Sequence, residues 1–189
     1  MKADLRRAAG AARRKRDRDE DRRRLYLLRH AKSDWDDPLL ADHDRPLAAR
    51  GRRAGELLAE HVRGAGIAPQ LVLCSTSART RETLDLLRLS PDIDVRYERG
   101  LYAANERVLL DRLSEVPDDA ESVLLVGHSS GIEQLALMLA RRGERLAEMR
   151  EKFPTGGLAT LEFSGRWSEL RARAAELTGY VIPRELAGR

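Results

Sequence analysis

Apolar residues along this chain follow two rhythms. Three short unbroken runs, Leu25-Tyr26-Leu27-Leu28, Leu71-Val72-Leu73-Cys74 and Val123-Leu124-Leu125-Val126, read as strands buried on both faces. Between them apolar positions recur at helical spacing. Leu47, Ala54, Leu57, Leu58 and Val62 predict a helix opened by Pro46 and ended by Gly64 and Gly66. Thr83, Leu84, Leu86 and Leu87 predict a second, capped by Ser75 or Ser77. Further helices are predicted over 105–115, before Pro117, and over 132–141. A short strand is predicted over 93–97, and an alternating one over 158–163 after Gly156-Gly157. From 167 onward the pattern fits strand or helix equally. Alternating strands and helices predict an α/β fold, a three-layer α/β/α sandwich around a mainly parallel sheet.

Length and charge refine this picture. The 189 residues, 42% of them apolar, suit a single domain over 25–189. By composition, residues 1–24 are expected to be a basic, disordered N-terminal extension. They hold eleven Lys/Arg against five Asp/Glu, a balance of +6 where the whole chain has only +4, so the body is slightly acidic. The extension has no aromatic residue to stack on bases, so nucleic acid is not an expected partner. No apolar run approaches the roughly 20 residues needed to span a bilayer, and no hydrophobic signal core opens the chain. Cys74 is the only cysteine, which excludes an internal disulfide. A cytoplasmic protein is the expectation, and oligomeric state is not legible.

The chemistry-bearing residues sit where the runs end. Arg29-His30 follow the first, Gly127-His128 follow the third, and Arg79 follows the second after a short loop. Open α/β sheets hold ligands beyond the carboxyl ends of their strands. Two imidazoles and two guanidiniums there suit a phosphoryl group held by Arg and attacked by His. Forked guanidinium donors match pairs of phosphate oxygens. Nearby cations also disfavour a charged imidazole, keeping His30 neutral and nucleophilic. Backbone N–H groups at helix starts near Ser77 or Ser129 would add donors.

These residues resemble the histidine phosphatase superfamily, whose fold is called phosphoglycerate-mutase-like. Leu28-Arg29-His30-Ala31 resembles its signature, STSARTRET over 75–83 is similar to the segment where a phosphate-binding Arg precedes a helix, and Gly127-His128 resembles its second catalytic His. RHAKSDW over 29–35, DRPL over 44–47, Gly51 and FPTGG over 153–157 are most similar to the short SixA-type phosphohistidine phosphatases. The resemblance implies that His30 carries the phosphoryl group, that Arg29, Arg79 and His128 bind it, and that Ser33 adds a hydrogen bond. It implies a phosphatase acting without metal or cofactor through a phosphohistidine intermediate, on a phosphorylated protein (phosphohistidine) or a small phosphate ester. It also implies an open pocket, because the connection from Arg79 to His128 is short. Larger members carry an acid that protonates the leaving oxygen. Glu82, Glu98 and Glu106 are candidates here, and Glu98 is chosen. Glu82 stands where relatives often carry Gln, and Ser129-Ser130 where they often carry Asn-Pro.

Plainer readings stand beside these. A phosphate-binding module without turnover would keep Arg29 and Arg79. Arg79 at i,i+3 from Glu82 suits a simple helix pair. Asp44 suits a salt bridge to Arg45 or a pocket Arg, and the other acidic residues of the loop after the signature suit turns. Lys32 reads as a solvated rim charge, and His43 and His61 as structural or exposed. The four histidines lack metal-ligand spacing. Only four residues separate Cys74 from Arg79, one too few for a cysteine-phosphatase loop to wrap phosphate, so Cys74 reads as a buried strand residue.

Overall fold

The computed structural model describes residues 22–187. The expected disorder of the basic extension therefore lies outside the described residues for all but its last three positions. In chain order the elements are β1 (Arg22–Arg29), α1 (Ala49–Gly64), β2 (Leu71–Ser75), α2 (Ala78–Leu86), β3 (Asp94–Glu98), α3 (Glu106–Ser114), β4 (Ser122–Gly127), α4 (Gly131–Leu139), β5 (Ala140–Arg142), α5 (Leu146–Glu151), β6 (Leu158–Ser164), β7 (Ala175–Val181) and α6 (Pro183–Leu186). The strands form one sheet in the order β3-β2-β4-β1-β6-β7-β5. β3, β2, β4 and β1 run parallel. β6 runs antiparallel to β1 and to β7, and β5 lies parallel to β7.

The unbroken apolar runs are explained by burial on both faces. Leu25, Leu27, Leu73 and Leu125 point into one core with Leu109 and Leu113 of α3 and Ile132 and Leu135 of α4. Their neighbours Tyr26, Leu28, Val72, Cys74 and Val126 point into the other, with Leu58 and Val62 of α1 and Leu84 of α2. Each such side chain withdrawn from water contributes about 1.5–3 kcal/mol. Helices therefore cover the sheet on both faces, the three-layer arrangement that the alternation predicts. No described helix is long and apolar enough to cross a membrane.

Four departures from the pattern have physical causes. β1 starts at Arg22 instead of residue 25, because Arg22 and Arg24 pair across the strands with Glu162 of β6 at 3.2 and 2.8 Å; polar cross-strand pairs leave no apolar signal. α1 starts at Ala49, not at Pro46. Pro46 and Leu47 are instead extended against the loop after β1, where Asp34 N donates to Pro46 O at 2.8 Å and Ser33 bridges Leu47. The fourth predicted helix stops at Leu139, and Ala140 leaves to pair with Ala175. α5, which follows, buries only Leu146 and Met149, too short a period to register. The ambiguous end resolves as a strand, β7, with Ala175, Leu177 and Tyr180 buried.

α1 approaches the loop after β1 so closely that only glycine fits. A Cβ at Gly51 would lie 2.1 Å from Lys32 O, which also accepts from Ala48 N at 2.9 Å. Gly51→Ala is therefore expected to destabilise the protein by about 1–3 kcal/mol in chemical denaturation. Gly64→Ala, with nothing within 4 Å, should be neutral or stabilise by about 0.4–1 kcal/mol.

Candidate active site

Strand register builds the site. β1 and β4 lie side by side with Arg29 opposite Gly127, and His30 N donates to Gly127 O at 3.0 Å. The next residue of each strand, His30 and His128, therefore emerges beside the other, with ring centroids 5.2 Å apart. β2 flanks β4 on its other side, Cys74 opposite Val126. The turn after β2 delivers Arg79 on the first turn of α2, with Nη2 3.3 Å from His128 Nδ1. Arg29, the last residue of β1, donates from Nη1 to Phe153 O at 2.6 Å.

Two clamps hold the end of β1. The Phe153-to-Gly157 segment is one: Arg29 N donates to Gly157 O at 3.0 Å, and Gly156 N reaches Arg29 O and His30 O at 3.0 and 3.1 Å. Gly156 has φ +76°, a left-handed conformation that favours glycine. Thr83 of α2 is the other. Its hydroxyl accepts from Ala31 N at 3.0 Å and donates to Arg79 O at 2.6 Å, tying the loop of His30 to the helix of Arg79.

Hydrogen bonding settles the state of both rings. His30 Nδ1 lies 2.7 Å from Ala31 O. A carbonyl only accepts, so Nδ1 carries the hydrogen and Nε2 keeps a free lone pair. Burial, His30 being 8% exposed, pushes its pKa down to about 4; the Ala31 carbonyl opposes this, and Arg79 and Arg29 deepen it. His128, 5% exposed, is pushed down to about 3 by burial first, then by His30 and Arg79. Its Nδ1 faces an arginine that only donates, so Nε2–H donates to Ser75 Oγ at 2.9 Å. Burial also lowers the Arg29 pKa. Among the described residues Arg29 pairs with no carboxylate, and its buried Nε finds no hydrogen-bond partner. A desolvated guanidinium left in this way is a seat for an anion.

The other expected residues are placed differently. Ser33 is buried beside the signature, but its hydroxyl accepts from Trp35 Nε1 at 3.0 Å. Glu98, at the end of β3, accepts at both its oxygens from Arg112 of α3 at 2.8 and 2.7 Å, in a half-buried ion pair. Glu82 faces α1, accepting from Leu47 N at 3.1 Å and Arg52 Nη1 at 2.8 Å, and so leaves Arg79 unpaired with it. Asp44 pairs with His43 at 2.9 Å. Cys74 donates to Ser75 O at 3.3 Å, and burial pushes its thiol up to about 12, an inert state. No group of three His, Cys, Asp or Glu among the described residues is arranged to hold a metal ion.

Three residues at the site went unassigned in the sequence. Ser75 orients His128. Asp42 meets Arg79, accepting from Nη1 at its carbonyl and from Nη2 at Oδ2, the latter at 2.8 Å. Tyr102 donates to the same Oδ2 at 2.6 Å and sets its ring edge-on to His128, centroids 5.2 Å apart. Asp42 lay hidden among five loop aspartates, and nothing local distinguishes it.

Comparison with known proteins shows what the chain is similar to. The family model for the Histidine phosphatase superfamily (branch 1) matches residues 25–105. An uncharacterized protein of Mycobacterium tuberculosis is 38% identical over 161 residues, 83% of this chain and 100% of the relative. The structure of a candidate phosphohistidine phosphatase SixA from Nakamurella multipartitia superposes with a TM-score of 0.76 at 35% identity, over 86% of this chain and 96% of that one. A second candidate, SixA from Agrobacterium tumefaciens, superposes with a TM-score of 0.71 at 33% identity, over 85% and 98%.

The depressed imidazoles have a consequence for stability. Unfolded, both rings bind protons near 6.5; folded, they resist until about 4 and 3. Stability is thus fully present above pH 6.5 and is lost as pH falls toward 4 and then 3. Chemical denaturation across that window should show a shallower loss in His30→Gln than in the wild-type chain. An identical slope would contradict the assignment.

Proposed function

The chain belongs to the histidine phosphatase superfamily, in its SixA-type branch, and from that premise we propose a metal-independent phosphatase that moves the phosphoryl group of protein phosphohistidine onto His30 and then onto water. One observation carries the reading: Nδ1 of His30 is committed to the Ala31 carbonyl, so the Nε2 lone pair is left free on a ring that feels the charges of both Arg79 and Arg29, while Arg29 Nε has no hydrogen-bond partner. Arg29 and Arg79 take the equatorial oxygens, and His128 lies beside them. Positive charge there stabilises the transferring group without covalent help.

The steps balance simply. Nε2 attacks phosphorus, the bond from phosphorus to the substrate nitrogen breaks, and phospho-His30 forms with its Nδ1–H still on the Ala31 carbonyl. Water then attacks phosphorus, inorganic phosphate leaves, and neutral His30 returns. A protein-borne phosphate suits the short connection from Arg79 to His128, which contains the rest of α2, then β3, a short turn, α3 and β4, with no further helix. The ion pair of Glu98 with Arg112 also supports phosphohistidine, since an alkoxide leaving group needs a proton donor and an ion-paired carboxylate favours its deprotonated form. A sole, buried cysteine is compatible with a cytoplasmic setting.

His30→Ala should lower phosphate release from a phosphohistidine protein by roughly a thousandfold or more in EDTA, and Cys74→Ser should retain it. An active His30→Ala enzyme would overturn the reading. Because burial pushes the His30 pKa down to about 4, loss of kcat/KM on the acid side should set in only below about pH 5. An acid-side loss near 6.5 would show a solvated, ordinary imidazole.

A further inference from the structure

The outer edge of Arg79 is met by Asp42, through its carbonyl and its carboxylate, and by the Tyr102 ring, 5.8 Å from the guanidinium carbon. The Arg79 side chain is 8% exposed and that of Asp42 is 46% exposed. Asp42 therefore forms a solvent-facing lip over buried Arg79, and its charge is felt by both His30 and His128. The Tyr102 hydroxyl, and then Arg79, hold the Asp42 carboxyl below the usual carboxylate range. An ionised carboxylate cannot protonate a departing alkoxide, and it repels an incoming phosphate dianion. Such a group at the lip needs a compensating role.

We propose that Asp42 determines specificity, favouring phosphorus–nitrogen over phosphorus–oxygen bonds by accepting the N–H of the departing imidazole. The proposal rests on the reading that His30 Nε2 receives the phosphoryl group. Phosphohistidine reacts well when its ring carries hydrogen on the nitrogen not bonded to phosphorus, because the ring then leaves neutral. As His30 Nε2 forms its bond to phosphorus, the electron pair of the old bond returns to the substrate ring and discharges it. The leaving imidazole keeps its N–H, and the positive charge passes to His30. Two rings thus exchange one charge, and each needs an acceptor for its N–H. The Ala31 carbonyl, at 2.7 Å, serves the incoming ring. The Asp42 carboxylate, at the mouth, serves the outgoing one and favours its protonated, reactive form. An ester offers the same carboxylate an oxygen without hydrogen, and is repelled.

The test compares kcat/KM for a phosphohistidine peptide and for p-nitrophenyl phosphate in wild type, Asp42→Asn and Tyr102→Phe, with thermal melts confirming that each variant is folded. Asp42→Asn keeps an oxygen acceptor for Arg79 but loses the charge. It should lower turnover of the phosphohistidine peptide about tenfold or more at pH 8, the scale of one charge-assisted hydrogen bond. The alkaline limb for that substrate should move to lower pH, while p-nitrophenyl phosphate is unchanged or faster. Tyr102→Phe, which keeps the carboxylate, should retain the wild-type preference. Equal losses on both substrates would make Asp42 a mere support for Arg79, and equal gains a mere plug; either overturns the proposal. Wild-type enzyme without phosphohistidine turnover, or an active His30→Ala, would instead remove the reading beneath it.

Discussion

Two imidazoles 5.2 Å apart, buried against two guanidiniums, cannot all be charged. Positive charge so confined has one cheap escape: the groups that can shed a proton do so. Arginine cannot, so both histidines are neutral, and the Ala31 carbonyl decides which nitrogen of His30 keeps its hydrogen. Nucleophilicity is therefore a by-product of burial. The same crowding leaves Arg29 short of an anion. In the proposed reaction an arriving phosphate dianion relieves both problems at once.

The fold makes that crowding possible because backbone pairing, not side-chain attraction, brings the cations together. β1, β4 and β2 are adjacent parallel strands, so their carboxyl ends share one edge of the sheet. Apolar side chains on both faces hold the strands, and the like-charged groups follow as passengers. Close backbone contacts then hold the loops in place. The turn at Gly156 clamps β1 from one side, Thr83 from another, and Gly51 lets α1 press against Lys32. None of these contacts touches the reacting atoms, yet each places them.

Much of this is legible in the amino-acid order. The continuous apolar runs mark the central strands, because burial on both faces erases alternation. Arg29, His30, Arg79 and His128 stand out because each follows such a run. Less visible are features that depend on distant partners. β5 and α5 are too short to carry a period. Pro46 looks like a helix opener, but the loop after β1 needs its carbonyl. Glu98 is a reasonable acid until Arg112, one helix later, claims both its oxygens. Asp42 is chemically identical to its loop neighbours, and only the path of the loop over Arg79 singles it out. Backbone acceptors such as Ala31 O and Phe153 O have no signature at all.

In the proposed mechanism, a phosphoryl group on His30 Nε2 is the event that every other role serves. Rapid quenching of the enzyme with phosphohistidine protein in alkali, followed by site mapping and phosphorus NMR, tests it most directly. One acid-labile, alkali-stable phosphate on Nε2 of His30 is the expected result. A phosphate on His128, on Nδ1 of His30 or on Cys74, or release with no enzyme-bound phosphate under single turnover, would contradict the account.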